Sequence, residues 1–87
     1  MARARILDVS GLEPPQPMIL VLEALRSLSP DEYLVFLHRH EPRPLYPMLG
    51  ELGFAWRVRE GRATPIEVVI WPSAWDAGPD DPQDPPR

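Results

Sequence analysis

Thirteen prolines punctuate this chain of 87 residues and decide where its backbone can continue as strand or helix. A proline has no N–H and a fixed φ, so it is excluded from a central strand and from a helix beyond its first turn. Pro14 and Pro15 therefore follow, and cannot extend, a first strand expected over Arg5-Ile6-Leu7-Asp8-Val9, a short β-branched run closed by Ser10-Gly11. Pro17 falls where the first turn of a helix tolerates it. Met18, Val21, Leu22, Leu25 and Leu28 then form an apolar stripe at helical spacing, widened by Ile19 and Leu20, with Glu23 and Arg26 left for solvent. This helix is expected to lie on a sheet and to end near Ser29-Pro30.

Tyr33-Leu34-Val35-Phe36-Leu37-His38 is apolar on both faces, as a central strand would be, and completes a βαβ unit. Prolines open the next segment and Gly53 closes it, which predicts a short second helix starting near Leu45 or Tyr46, so that Pro47 stays in its first turn. Phe54 to Glu60 alternates apolar and polar residues, Gly61-Arg62 supplies a turn, and Ile66 to Trp71 forms the last strand of a hairpin. The aromatic residues Tyr33, Phe36, Phe54, Trp56 and Trp71 all fall in strand patterns, which marks them as packing groups. Residues 1–72 thus form one domain, at a length that leaves no room for a second core. Residues 73–87 are expected to be a disordered tail, rich in proline and aspartate, with Trp75 alone able to tack its start onto the body.

Charge and cysteine content narrow the chemistry. The net charge is −4, and the tail holds four aspartates against Arg87 alone, so the body is near neutral. A nucleic-acid binder carries a basic surplus, and none is present here. There is no cysteine, which removes disulfides, thiolate nucleophiles, iron–sulfur clusters and cysteine-bound zinc. No apolar run approaches the length of a membrane span, and the start Met1-Ala2-Arg3-Ala4-Arg5 lacks the apolar stretch of a signal peptide. The chain is expected to be soluble and cytoplasmic.

Two blocks carry a family resemblance. Leu7-Asp8-Val9-Ser10-Gly11-Leu12-Glu13-Pro14-Pro15-Gln16-Pro17 resembles the opening of TusA-like (SirA-like) sulfur carriers, an apolar-Asp-x-x-Gly-Leu stretch followed by Cys-Pro-x-Pro. Pro14 stands in the place of that cysteine, and Pro15 and Pro17 match the two prolines. His38-Arg39-His40-Glu41-Pro42-Arg43-Pro44-Leu45-Tyr46 is similar to a cysteine-less branch catalogued as domain of unknown function 2249. The likeness covers about residues 5 to 71. It implies an α+β two-layer sandwich, β-α-β-α-β-β, with two helices on one face of a four-stranded mixed sheet. Persulfide transfer, which true carriers perform on the cysteine, has no residue to act on here. The cysteine-less branch further implies association with iron-binding hemerythrin-like proteins and nitrogen-oxide metabolism.

In such sheets ligands bind beyond the carboxyl ends of the parallel strands. The loop from Ser10 to Gln16 and the loop from His38 to Arg43 are expected to meet there. His38 and His40, two residues apart on a strand, would share a face and could hold zinc, iron or copper with Glu41, or with Asp8 or Tyr46 nearby. Arg39, Arg43 and Gln16, with the free N–H groups at the start of the first helix, could instead receive an anion or a partner. Asp8, Gly11, Pro15 and Pro17 read as structural loop residues, Asp8 by accepting hydrogen bonds from loop N–H groups. No Ser-His-Asp order, glycine-rich phosphate loop or carboxylate pair suggests an enzyme, although an imidazole titrating near neutrality could serve as an acid or base. The leading expectation is a non-catalytic module that docks a partner protein through the histidine loop and the sheet edge. Transition-metal binding by His38 and His40 is the first alternative, and an anion-binding or enzymatic site on the same loop is the second.

Overall fold

Alternation of side chains along four strands builds a sheet whose two central strands are buried on both faces. The computed structural model describes residues 2–82. Its elements are β1 (Arg3–Asp8), α1 (Gln16–Arg26), β2 (Glu32–His38), α2 (Leu45–Leu52), β3 (Phe54–Glu60) and β4 (Ile66–Pro72). The strands lie in the order β1-β2-β4-β3, with β1 parallel to β2 and the other pairs antiparallel. This is the α+β class and mixed four-stranded sheet expected from the sequence. The apolar run of β2 sits in the middle, as its two-sided hydrophobicity requires.

Both helices cover one face. Val21, Ala24 and Leu25 of α1 and Leu45 and Leu49 of α2 close a core over Leu34 and Phe36 of β2 and Val68 and Ile70 of β4. Burying each Leu, Val, Ile or Phe side chain contributes about 1.5–3 kcal/mol, so this layer is the main source of stability.

The helix ends follow local chemistry. α1 stops at Arg26, two residues before the apolar stripe does, because the Ser27 hydroxyl donates to the carbonyls of Ala24 (3.2 Å) and Glu23 (3.3 Å). Such back-bonding competes with continuing the helix. α2 starts at Leu45, which places Pro47 in its first turn, and ends on Gly53 at φ 87°, a left-handed conformation that glycine adopts without steric cost. No described helix is long and apolar enough to cross a membrane.

After β4 comes the start of the segment expected from its composition to be a disordered tail. Residues 73–82 run back over the sheet face away from the helices, with Pro79 buried. Trp75 packs on Tyr33, Val35, Val69 and Trp71. Asp81 accepts hydrogen bonds from Arg59 Nη1 (2.9 Å) and from the Tyr33 hydroxyl. The segment has few apolar groups, and its contacts here are mainly ion pairing and hydrogen bonding. Residues 83–87, the rest of that expected tail, lie outside the described residues.

Candidate functional site

The parallel pairing of β1 with β2 sends both strands toward the same edge, where their following loops lead into the two helices. At that edge lies a pocket of about 200 Å³. One wall comes from the start of α1 (Pro14, Pro15, Pro17, Met18 and Val21), the other from the start of α2 (Pro42, Pro44 and Leu45), and Phe36 and His38 of β2 form the base. The Pro14–Pro15 peptide bond is cis. The site thus lies between the two loops that the topology indicated, but its walls are mostly proline and aliphatic carbon.

His38 is the one ionisable residue in this lining. It follows Leu34 and Phe36 on the helix-facing side of β2, and its ring meets Phe36 edge-on at 5.7 Å between centroids. The ring of His40 stands edge-on to it at 6.0 Å. Nδ1 of His38 is buried and has no hydrogen-bond partner, an arrangement that costs about 1–3 kcal/mol. Burial holds the imidazole below its ordinary pKa, and His40 and Arg39 push it the same way. His38 is therefore neutral at pH 7, with one ring nitrogen open to be satisfied.

Tyr46, in the first turn of α2, stacks on Trp56 of β3 with centroids 5.2 Å apart and planes 13° from parallel. Its hydroxyl is also buried without a partner. Burial and then the negative charge of Glu41 raise its pKa, while Arg43 opposes them.

The charged candidates lie outside the pocket lining. Arg39 and Gln16 are exposed, and Arg43 Nε pairs with Glu41 Oε2 at 3.2 Å. The N–H groups of Gln16, Leu45 and Tyr46 already donate to Glu13, Pro42 and Arg43 carbonyls, and Pro17 and Pro47 have none to offer. The donor set that an anion would need is therefore largely occupied or missing at these helix starts. Asp8 Oδ1 accepts from the Ser10 N–H (2.9 Å) and hydroxyl (2.7 Å), which lowers its pKa and closes the first loop. Gly11 is exposed, and a Cβ there would meet nothing within 4 Å. Among the described residues, no group of three or more His, Cys, Asp or Glu is placed to hold a metal.

Sequence reasoning placed His38 and the α1 prolines at the edge where this pocket lies, but did not name Val21, Phe36, Pro42, Pro44 and Leu45 as lining it. One signal was available: Pro-x-Pro marks the start of both helices, Pro15 to Pro17 across the first turn of α1 and Pro42 to Pro44 just before α2, so both helix starts carry rigid apolar rings. The cluster of Tyr33, Arg59, Glu67 and Asp81 on the opposite face was also missed. Its cross-strand member, Arg59 opposite Glu67, follows from the hairpin register once that is known.

No curated protein and no solved structure matches the chain significantly. The sequence does match, over residues 6–72, a family described as "Uncharacterized conserved protein (DUF2249)". That span takes in the sheet, both helices and the pocket, and the chain belongs to this family.

Proposed function

We propose that the protein is a non-catalytic recognition module whose histidine-loop pocket receives one ring-bearing side chain of a partner protein. The observation that carries this is the size and lining of the pocket together with the unmet hydrogen-bonding capacity of His38. A dry cavity of about 150 Å³ accommodates benzene, whereas sites for drug-sized molecules span about 300–1,000 Å³. At about 200 Å³ the pocket suits a single aromatic residue and is small for a cofactor. A tyrosine or tryptophan brings both an apolar ring and a polar group, which matches proline and aliphatic walls beside a neutral imidazole. In the TusA-like kinship that the opening block suggests, Pro14 occupies the position of the carrier cysteine, and Pro14 lines this pocket. The reading keeps the carriers' habit of docking partners at that position and dispenses with the sulfur chemistry, for which the chain has no cysteine.

The test is an NMR titration with p-cresol and 3-methylindole, surrogates for tyrosine and tryptophan side chains. Saturable shifts at the His38 ring nitrogens and at Met18 and Leu45 are expected, with affinity in the millimolar range of a fragment. Ligand-independent spectra at those positions up to about 20 mM, weaker than roughly −2.3 kcal/mol, would end this reading.

A second reading is favoured by the neighbouring imidazoles. Zinc bound by both rings at about 2.1 Å would set their centroids about 5 Å apart, close to the 6.0 Å observed. His38 and His40 would supply two ligands and a partner the rest, with iron or copper as other candidates. Calorimetric titration with Zn²⁺, Cu²⁺ and Fe²⁺ against the His38→Ala/His40→Ala variant separates the two readings, because fragment binding needs no metal.

A further inference from the structure

We propose that the sheet face away from the helices is a recognition groove for an extended segment of the form Gly-Pro-x-Asp, which Gly78-Pro79-Asp80-Asp81 occupies in cis. Each position of that segment meets a group suited to it. Gly78, at φ 72°, lies so close to the Trp71 indole that a Cβ would fall 2.8 Å from its Cε2 and Cζ2 atoms, so the groove accepts glycine there on both steric and conformational grounds. Arg57 spreads over the same indole, 5.1 Å from the ring centroid, and its Nη2 donates to the Pro79 carbonyl at 2.7 Å. Asp80 is exposed. Asp81 accepts from Arg59 Nη1 at 2.9 Å and from the Tyr33 hydroxyl, and the Arg59 and Asp81 side chains are each only 5% exposed.

The receiving side is built by the domain itself. Arg59 is held by Glu67, its cross-strand partner, through Nε to Oε1 at 2.7 Å, so its guanidinium is aimed before the segment arrives. Glu67 engages Nε of the fork, and a carboxylate at the Asp81 position is received by Nη1. Ser73 N–H donates to the Gly53 carbonyl and Trp75 N–H to the Pro72 carbonyl, which tie the start of the segment to the body. Those ties keep residues 73–75 against the body whether or not 78–81 is in place. A short tether of this kind holds its segment at an effective concentration in the millimolar range, so the same segment of a second copy of this chain gains access once the resident one is displaced.

The experiment uses the full chain carrying Gly78→Val, which removes the close approach to Trp71 and leaves Tyr33, Arg57, Arg59 and Trp71 intact. A synthetic peptide of residues 73–82 is added in trans and followed by NMR at Tyr33, Arg59 and Trp71. Saturable binding to the variant is expected, with no binding to the wild-type chain below about 1 mM. A peptide with Asp81→Asn should bind more than about tenfold more weakly, while the isoelectric Asp80→Asn peptide should bind nearly as well as the parent. Equal loss for the two peptides would reduce the effect to general charge attraction and overturn the proposal. So would absence of binding to the opened variant, or unchanged hydrogen-exchange protection of residues 75–81 in it. Asp81→Ala serves as the second opened variant, and global unfolding of both would make the segment inseparable from the fold, which equally refutes a displaceable occupant.

Discussion

The two faces of one sheet handle their polar groups in opposite ways. On the helix side, His38 Nδ1 and the Tyr46 hydroxyl are buried without partners beside an apolar pocket. On the far side, Tyr33, Arg59, Glu67 and Asp81 are also buried or nearly so, yet they are joined in one hydrogen-bonded network. Adjacent residues of β2 therefore contribute to a completed surface and an incomplete one, since Tyr33, Val35 and Leu37 alternate with Leu34, Phe36 and His38. Unmet capacity marks the face with room for an added group, and saturation marks the face where an internal segment already fills that role.

Breaking the saturated side should have the largest effect. Arg59→Ala leaves the Glu67 and Asp81 carboxylates buried without their common cation, and a loss of about 3–5 kcal/mol is expected in urea unfolding. A loss under about 1 kcal/mol would mean that water reaches the network, and the contrast between the faces would fail.

A smaller effect is expected from enlarging the open side. Leu45→Ala removes a fully buried wall residue and should cost about 2–4 kcal/mol, while tightening the binding of 3-methylindole by widening the pocket. Loss of stability without any change in binding would place the ligand elsewhere.

The smallest effect concerns protonation. Because His38 is held below its ordinary pKa, the unfolded chain takes up its proton at higher pH than the folded one. Its contribution is therefore fully present above about pH 6.5 and declines as pH falls below that value. His38→Phe should flatten this part of the stability profile and change stability at pH 8 by less than about 1 kcal/mol, as it also removes an unsatisfied buried nitrogen. An unchanged acid slope would show that His38 is as easily protonated folded as unfolded.

The fold was legible because hydrophobic period and proline placement agree. β3 was expected over Phe54–Glu60 and is found there, bounded by Gly53 and Gly61. α1 was expected to end near Ser29-Pro30 and ends at Arg26, because the stripe at Leu28 outlasts the helix. The position of the candidate site followed from topology alone, through the shared carboxyl edge of β1 and β2. Its walls did not, because Val21 and Phe36 look like any other core residue until the proline loops leave a gap above them. The contacts of segment 73–82 were hidden for a related reason: its own composition carries no sign of them, and Tyr33 and Arg59, which Asp81 meets, sit in strands tens of residues earlier.

What the sequence determined unaided is the order of elements, the central place of β2, the edge where the two loops meet and the absence of thiol chemistry. These are local consequences of side-chain period, backbone restriction and residue type. Only the tertiary structure decided that His38 Nδ1 is left without a hydrogen-bond partner beside a proline-walled pocket and that Asp81 meets Arg59 and Tyr33. Both outcomes depend on contacts between residues far apart in the chain, where hydrogen-bond direction and desolvation are set by three-dimensional placement and leave no periodic trace in the sequence.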